Sequence, residues 1–163
     1  MAGEDKARFK RILVPLDGSE LGERALPYVE ELAAATGAEV LLLEVVALQY
    51  DIALAETYTP NVGQLSEDFA KRTLANAEKY LKSIEERLSQ RGITVRSEIE
   101  TGVPAERVIA HAKEYDVDLI AMSTHGRSGI SRWILGSVAD KVLRAADRPV
   151  LLVRASEKAG GEG

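Results

Sequence analysis

The chain contains no cysteine, which excludes disulfides and thiolate-ligated metal centres. That composition fits a reducing compartment, and a cytoplasmic location is expected. Histidine is almost as scarce. His111 and His125 are the only two, too few for a histidine-rich metal centre. No window approaches the roughly 18 consecutive apolar residues of a membrane span. The opening MAGEDKARFK is charged where a signal peptide would be apolar. No membrane partner is therefore expected. A basic surplus is also missing: the formal net charge is -5, which argues against a nucleic-acid partner. Finally, several common motifs are absent. There is no Gly-x-x-x-x-Gly-Lys-Ser/Thr, no Gly-x-Gly-x-x-Gly after the first strand, no His-Glu-x-x-His and no Gly-x-Ser-x-Gly.

What is present is a regular alternation of two periods. RILVPL (Arg11–Leu16) is a short apolar run that ends in the turn-rich DGSE, as a buried strand does. Leu21, Ala25, Val29, Leu32 and Ala33 then share a helical face, with Gly37 at the expected stop. EVLLLEVV (Glu39–Val46) is nearly continuously apolar, which a parallel strand covered on both faces requires. Residues 47–64 have no firm period and read as a long loop. Helical spacing resumes from Leu65 through Ala70, Leu74, Ala77, Leu81, Ile84 and Leu88, ending at Arg91-Gly92. TVRSEIE (Thr94–Glu100) alternates like an exposed edge strand. Pro104 opens a short helix with Ala105, Val108, Ile109 and Ala112 inward and His111 on the exposed side. DLIAMS (Asp118–Ser123), a helix near 137–146 and PVLLVR (Pro149–Arg154) complete the pattern. The expected organisation is a flexible N-terminus over 1–8, one domain over 9–154 and a disordered tail over 155–163.

Strict alternation of strands and helices implies an α/β fold: a Rossmann-like, doubly wound, five-stranded parallel sheet with helices on both faces. Right-handed crossovers and a weak third strand at an edge give the order 3-2-1-4-5. Ligands in such sheets bind beyond the carboxyl ends of the strands where the order reverses, here between strands 1 and 4. Two loops meet there, PLDGSE and MSTHGRSGISRWILGSVAD (Met122 to Asp140). The second holds Gly126, Gly129 and Gly136, with Ser128, Ser131, Ser137, Arg127 and Arg132. Glycines let a ligand approach the backbone, and successive N–H groups there form an anion nest. The following helix N-terminus adds unpaired donors and about half a positive charge. These features suit a phosphate.

The spacing Gly126, nine residues, Gly136-Ser137 resembles the nucleotide loop of the universal stress protein family, whose usual form is Gly-x-x-Gly, nine residues, Gly-Ser/Thr. ILVPLDGSE, GVPAERVIAHA, VDLIAMSTHGRSG and LGSVADKVLRAADRPVLLV match in the same order, over residues 9–154. One position departs: Ser123 stands where the family loop has its first glycine. The resemblance implies binding of ATP with Mg2+ or Mn2+. It places Pro15 and Asp17 along the nucleotide, with Asp17 near the ribose or a phosphate-bound metal. It puts the Val45 backbone against adenine, Gly102 near the base or ribose, and Met122 against the nucleotide. Ser123, Gly126, Arg127, Gly136, Ser137 and Val138 would surround the ribose and phosphates. It also implies a homodimer through the apolar edge strand Pro149–Arg154.

Plainer roles stand beside these. Asp17 can cap the first helix, and Ser137 can cap the fourth. His125 reads as a solvated loop histidine, Trp133 as packing, and Tyr50 and Tyr58 as loop anchors or a ligand cover. No base or water-positioning residue is evident, so any phosphoryl transfer would be slow. The function expected is an ATP-binding stress-response module acting as a dimer. A dimeric interaction scaffold without nucleotide, or a slow ATPase, are the alternatives.

Overall fold

A computed structural model describes residues 9–48, 63–127 and 135–154. The expected termini (1–8 and 155–163), the loop bearing Tyr50 and Tyr58, and Ser128, Gly129, Ser131, Arg132 and Trp133 lie outside these residues. The strands are β1 (Arg11–Leu16), β2 (Glu39–Val46), β3 (Val95–Thr101), β4 (Leu119–Ser123) and β5 (Val150–Val153). The helices are α1 (Leu26–Thr36), α2 (Gly63–Gln90), α3 (Pro104–Glu114) and α4 (Ser137–Ala145). All strand pairs are parallel, and the sheet order is β3-β2-β1-β4-β5.

Side chains alternate across each strand, so a run apolar at every position feeds two cores. Ile12, Val14, Leu16, Val40 and Leu42 face α1 and α2. Leu13, Leu41, Leu43, Ile120 and Met122 face α3 and α4. In α2, Ala77, Leu81, Ile84 and Leu88 are buried at steps of three and four. In α1, Leu26, Val29 and Ala33 are buried, and Leu21 and Ala25 are not part of the helix. They belong with the 3-10 turn Gly22–Ala25, because Pro27 lacks an N–H and sits best in a first helical turn. Gly37 ends α1 at φ +73°, its N–H donating to the Ala33 carbonyl at 2.8 Å.

His111 is not on the surface. It is 1% exposed and shares the inner face of α3 with Ala105, Val108 and Ala112, while Ile109 is only half-buried. The sheet supplies the reason. Val95 and Ile99 turn towards α2, which leaves Glu98 and Glu100 beneath α3. His111 Nδ1 lies 2.8 Å from Glu100 Oε1, and its ring stacks on Tyr115 with centroids 4.3 Å apart. Arg107 pairs with the other Glu100 oxygen, and the Tyr115 hydroxyl donates to Glu98 Oε2 at 3.0 Å. A buried imidazole is tolerated where a partner satisfies it.

Leu42 sits mid-strand in β2, 1% exposed. Leu42→Ala removes transfer energy and leaves a cavity, so a loss of about 2–5 kcal/mol is expected in urea unfolding.

Candidate functional site

β1 lies between β2 and β4, so the chain runs to opposite sides of the sheet from there. The carboxyl ends of β1, β2 and β4 open into a cavity of about 310 Å³. Of the residues singled out from the sequence, Pro15, Asp17, Val45, Met122, Ser123, Gly126, Arg127, Gly136, Ser137 and Val138 all line it. Gly102 is not on that wall. Its N–H donates to the Val46 carbonyl at 3.1 Å, and at φ +140° it turns the chain into α3. Its neighbour Pro104 reaches the cavity instead.

Asp17 ties the two loops together. Its Oδ1 accepts from the Ser19 N–H at 3.0 Å and the Ser19 hydroxyl at 2.6 Å. The Ser19 oxygen in turn accepts from the Gly22 N–H at 3.0 Å. Its Oδ2 accepts from the Arg127 N–H at 2.6 Å. The Arg127 guanidinium donates back to the Asp17 carbonyl at 2.7 and 3.1 Å. Asp17 thus fastens its own turn and does not cap α1, whose N-cap is Ala25. This arrangement requires glycine at 126. A Cβ there would collide with the Asp17 carboxylate.

The second glycine has a different constraint. A Cβ on Gly136 would come within 2.7 Å of the Thr124 carbonyl oxygen. The Gly136 N–H donates to that same carbonyl at 2.9 Å. Gly136 is the N-cap of α4, and no side chain caps the helix. Ser137 is its first helical residue, so its hydroxyl is not used as a cap. The α4 N-terminus therefore faces the cavity with first-turn N–H groups that the helix itself cannot satisfy.

Ser123 occupies an ordinary strand position, paired in register with Val153 and 5% exposed. Among the described residues, Asp116 alone is a non-glycine with positive φ. The backbone at Ser123 therefore makes no demand that only glycine can meet. His125 also lies on the wall, its Nδ1 3.0 Å from the Thr124 hydroxyl.

Glu44, Thr73 and Val108 line the cavity too, and sequence reasoning did not single them out. For Glu44 there was a signal: one acid interrupts an apolar strand near its carboxyl end. Glu44 is 5% exposed. Its Oε1 is 3.8 Å from Arg127 Nη2, and its Oε2 is buried without a hydrogen-bond partner among the described residues. Burial pushes this carboxyl above its ordinary range; Arg127 partly opposes the shift, and the negative charge of Asp17 adds to it.

The donor set suits a hard divalent cation. A carboxylate oxygen can accept about two hydrogen bonds. Oδ1 of Asp17 already has two, whereas Oδ2 has one and Glu44 Oε2 has none. Oxygen ligands of this kind match Mg2+ or Mn2+. Glu98, Glu100 and His111 also bring three ligand atoms within 4.8 Å of one another. That group lies under α3, outside the cavity lining, and Arg107 and Tyr115 already engage it.

Residues 8–154 match the universal stress protein family. The chain belongs to that family. It is 30% identical to the universal stress protein MJ0531 of Methanocaldococcus jannaschii, over 92% of this chain and 85% of that protein. It is also 30% identical to the Bacillus subtilis universal stress protein YxiE, over 90% of this chain and 99% of that one. Among solved structures, that of MJ0577 from M. jannaschii superposes with a TM-score of 0.80 at 29% identity. The alignment covers 91% of this chain and 98% of MJ0577.

Gly136→Ala forces the Thr124 carbonyl to move and puts a poorer residue at an N-cap. A loss of about 1–3 kcal/mol is expected, read as a lower urea midpoint at unchanged slope.

Proposed function

We propose that this universal stress protein is a small ATP-binding stress-response module, formed by residues 9–154 and acting as a cytoplasmic homodimer. The observation that carries the reading is the cavity at the sheet reversal, with two glycines that admit no Cβ and an uncapped helix N-terminus facing it. That is the arrangement backbone recognition of a phosphate needs. The volume falls within the range of small-molecule sites. The same fold carries adenine nucleotides elsewhere. A universal stress protein 22% identical to this chain forms a complex with cAMP, and an Arabidopsis thaliana family member 15% identical to it is bound to AMP.

In this reading the backbone near Val45 meets the base, while Pro15 and Met122 pack against the nucleotide. The Gly126–Arg127 and Gly136–Val138 segments hold the phosphates. Asp17 meets the ribose or contributes an oxygen to Mg2+ or Mn2+. The cation would neutralise phosphate charge. The extended backbone at Ser123 supports this reading over a scaffold without nucleotide, because the position does not need the positive φ that favours glycine. For hydrolysis, His125 is the one histidine among the described lining residues, and its Nδ1 lies 3.0 Å from the Thr124 hydroxyl. ATP is therefore a bound effector here, with turnover slow at most.

The dimer follows from β5. It is an edge strand, half-buried throughout, beside β4. Apolar edges invite pairing with a second chain, and antiparallel addition of β5 to its copy gives a closed two-fold dimer.

Two measurements test this. On nucleotide-stripped protein, calorimetric titration with ATP and Mg2+ should give micromolar binding near one per chain, and Gly126→Asp should abolish it. Binding of AMP or cAMP in preference to ATP would overturn the choice of nucleotide, and no binding of any would overturn the class. Light scattering should give twice the mass of a single chain; a monomer at tens of micromolar would sink the dimer.

A further inference from the structure

Glu44 has no role in the reading above, yet it is among the least comfortable side chains in the described fold. An acid at the carboxyl end of β2 could turn to water, but this one is 5% exposed, with one oxygen 3.8 Å from Arg127 and the other unpartnered. A buried carboxylate oxygen without a donor costs free energy, and an apolar or amide side chain of similar size would avoid most of that cost. Its one ion-pair partner among the described residues is shared. The Arg127 guanidinium is already committed to the Asp17 carbonyl through two hydrogen bonds and is 72% exposed.

The charges on the described cavity wall therefore do not balance. Asp17 and Glu44 are acidic, Arg127 is basic, and His125 is the other ionisable group. The Arg127 side chain is exposed, while Glu44 is buried, where solvent screening is weaker. A bare polyphosphate entering beside these carboxylates meets repulsion that its phosphate donors must overcome. A polyphosphate carrying a divalent cation meets much less, and its cation is an electrophile for the unfilled carboxylate oxygens.

We propose that Glu44 is a specificity-determining residue: its buried carboxylate discriminates against free nucleotide polyphosphate and in favour of the divalent-metal complex. The inference rests on the nucleotide reading of the cavity and goes further, since it assigns the choice of ligand charge state to one side chain of β2. Asp17 alone does not account for it, because its oxygens are largely filled by Ser19 and Arg127.

The test is calorimetric titration of the full chain, stripped of nucleotide, at pH 8. ATP is titrated with excess Mg2+ and, separately, with EDTA. Wild type should bind the magnesium complex at least about tenfold more tightly than free ATP. Glu44→Gln should reduce that ratio to about threefold or less, chiefly by improving free ATP, and Glu44→Asp should preserve it. Adenosine, which carries no phosphate, should bind wild type and Glu44→Gln alike. An unchanged ratio in a folded Glu44→Gln protein overturns the inference and leaves nucleotide binding intact. Equal binding of both ATP forms by wild type overturns it too, whether or not the variant folds. Failure of every nucleotide to bind overturns both this inference and the reading beneath it.

Discussion

The site depends on one carboxylate. Asp17 accepts from the Arg127 backbone N–H while its own carbonyl accepts the Arg127 guanidinium. This exchange joins the loop after β1 to the loop after β4, 110 positions apart in sequence. The sheet alone brings β1 and β4 together over a short register, Ile12 with Leu119 and Leu13 with Ile120. The loops beyond them carry a link of their own. Charge-assisted hydrogen bonds supply it, roughly twice as strong as neutral ones. The link also fixes residue 126 as glycine, because the carboxylate lies where a Cβ would be.

An anion nest is thereby built around an internal anion. The Arg127 N–H that could meet a phosphate already meets Asp17. A phosphate arriving there must share or displace that acceptor, while the α4 N-terminus, with no side-chain cap, offers donors that need no displacement. The two halves of the cavity thus differ in kind: one is preformed and open, and the other is held closed by the protein's own charge.

The fold was legible because its signals are periodic and redundant. Four apolar runs alternate with helical spacing, and a fifth, weakly alternating run marks the edge, which gives the order β3-β2-β1-β4-β5. The cavity wall was legible through loop chemistry and family resemblance together. The misreadings have a common cause. His111 was assigned to solvent because a histidine on an amphipathic helix usually lies there, and its burial depends on Glu100 arriving from an edge strand. Leu21 and Ala25 had helical spacing, yet Pro27 set the boundary. In each case a partner distant in sequence, or a local backbone rule, overrode periodicity.

His111 and Glu44 show how such residues should be weighed. Both are buried polar side chains in otherwise apolar surroundings, and both follow from a break in a periodic pattern. The imidazole has a carboxylate at 2.8 Å and a tyrosine ring stacked against it, so its burial is accounted for inside the fold. Glu44 has a partly committed arginine at 3.8 Å and one oxygen with nothing. A satisfied buried group is explained by structure, because its partner offsets the cost of desolvation. An unsatisfied one beside a cavity is not, because folding alone favours its replacement. The cost at Glu44 is therefore better assigned to what enters the cavity than to what surrounds it.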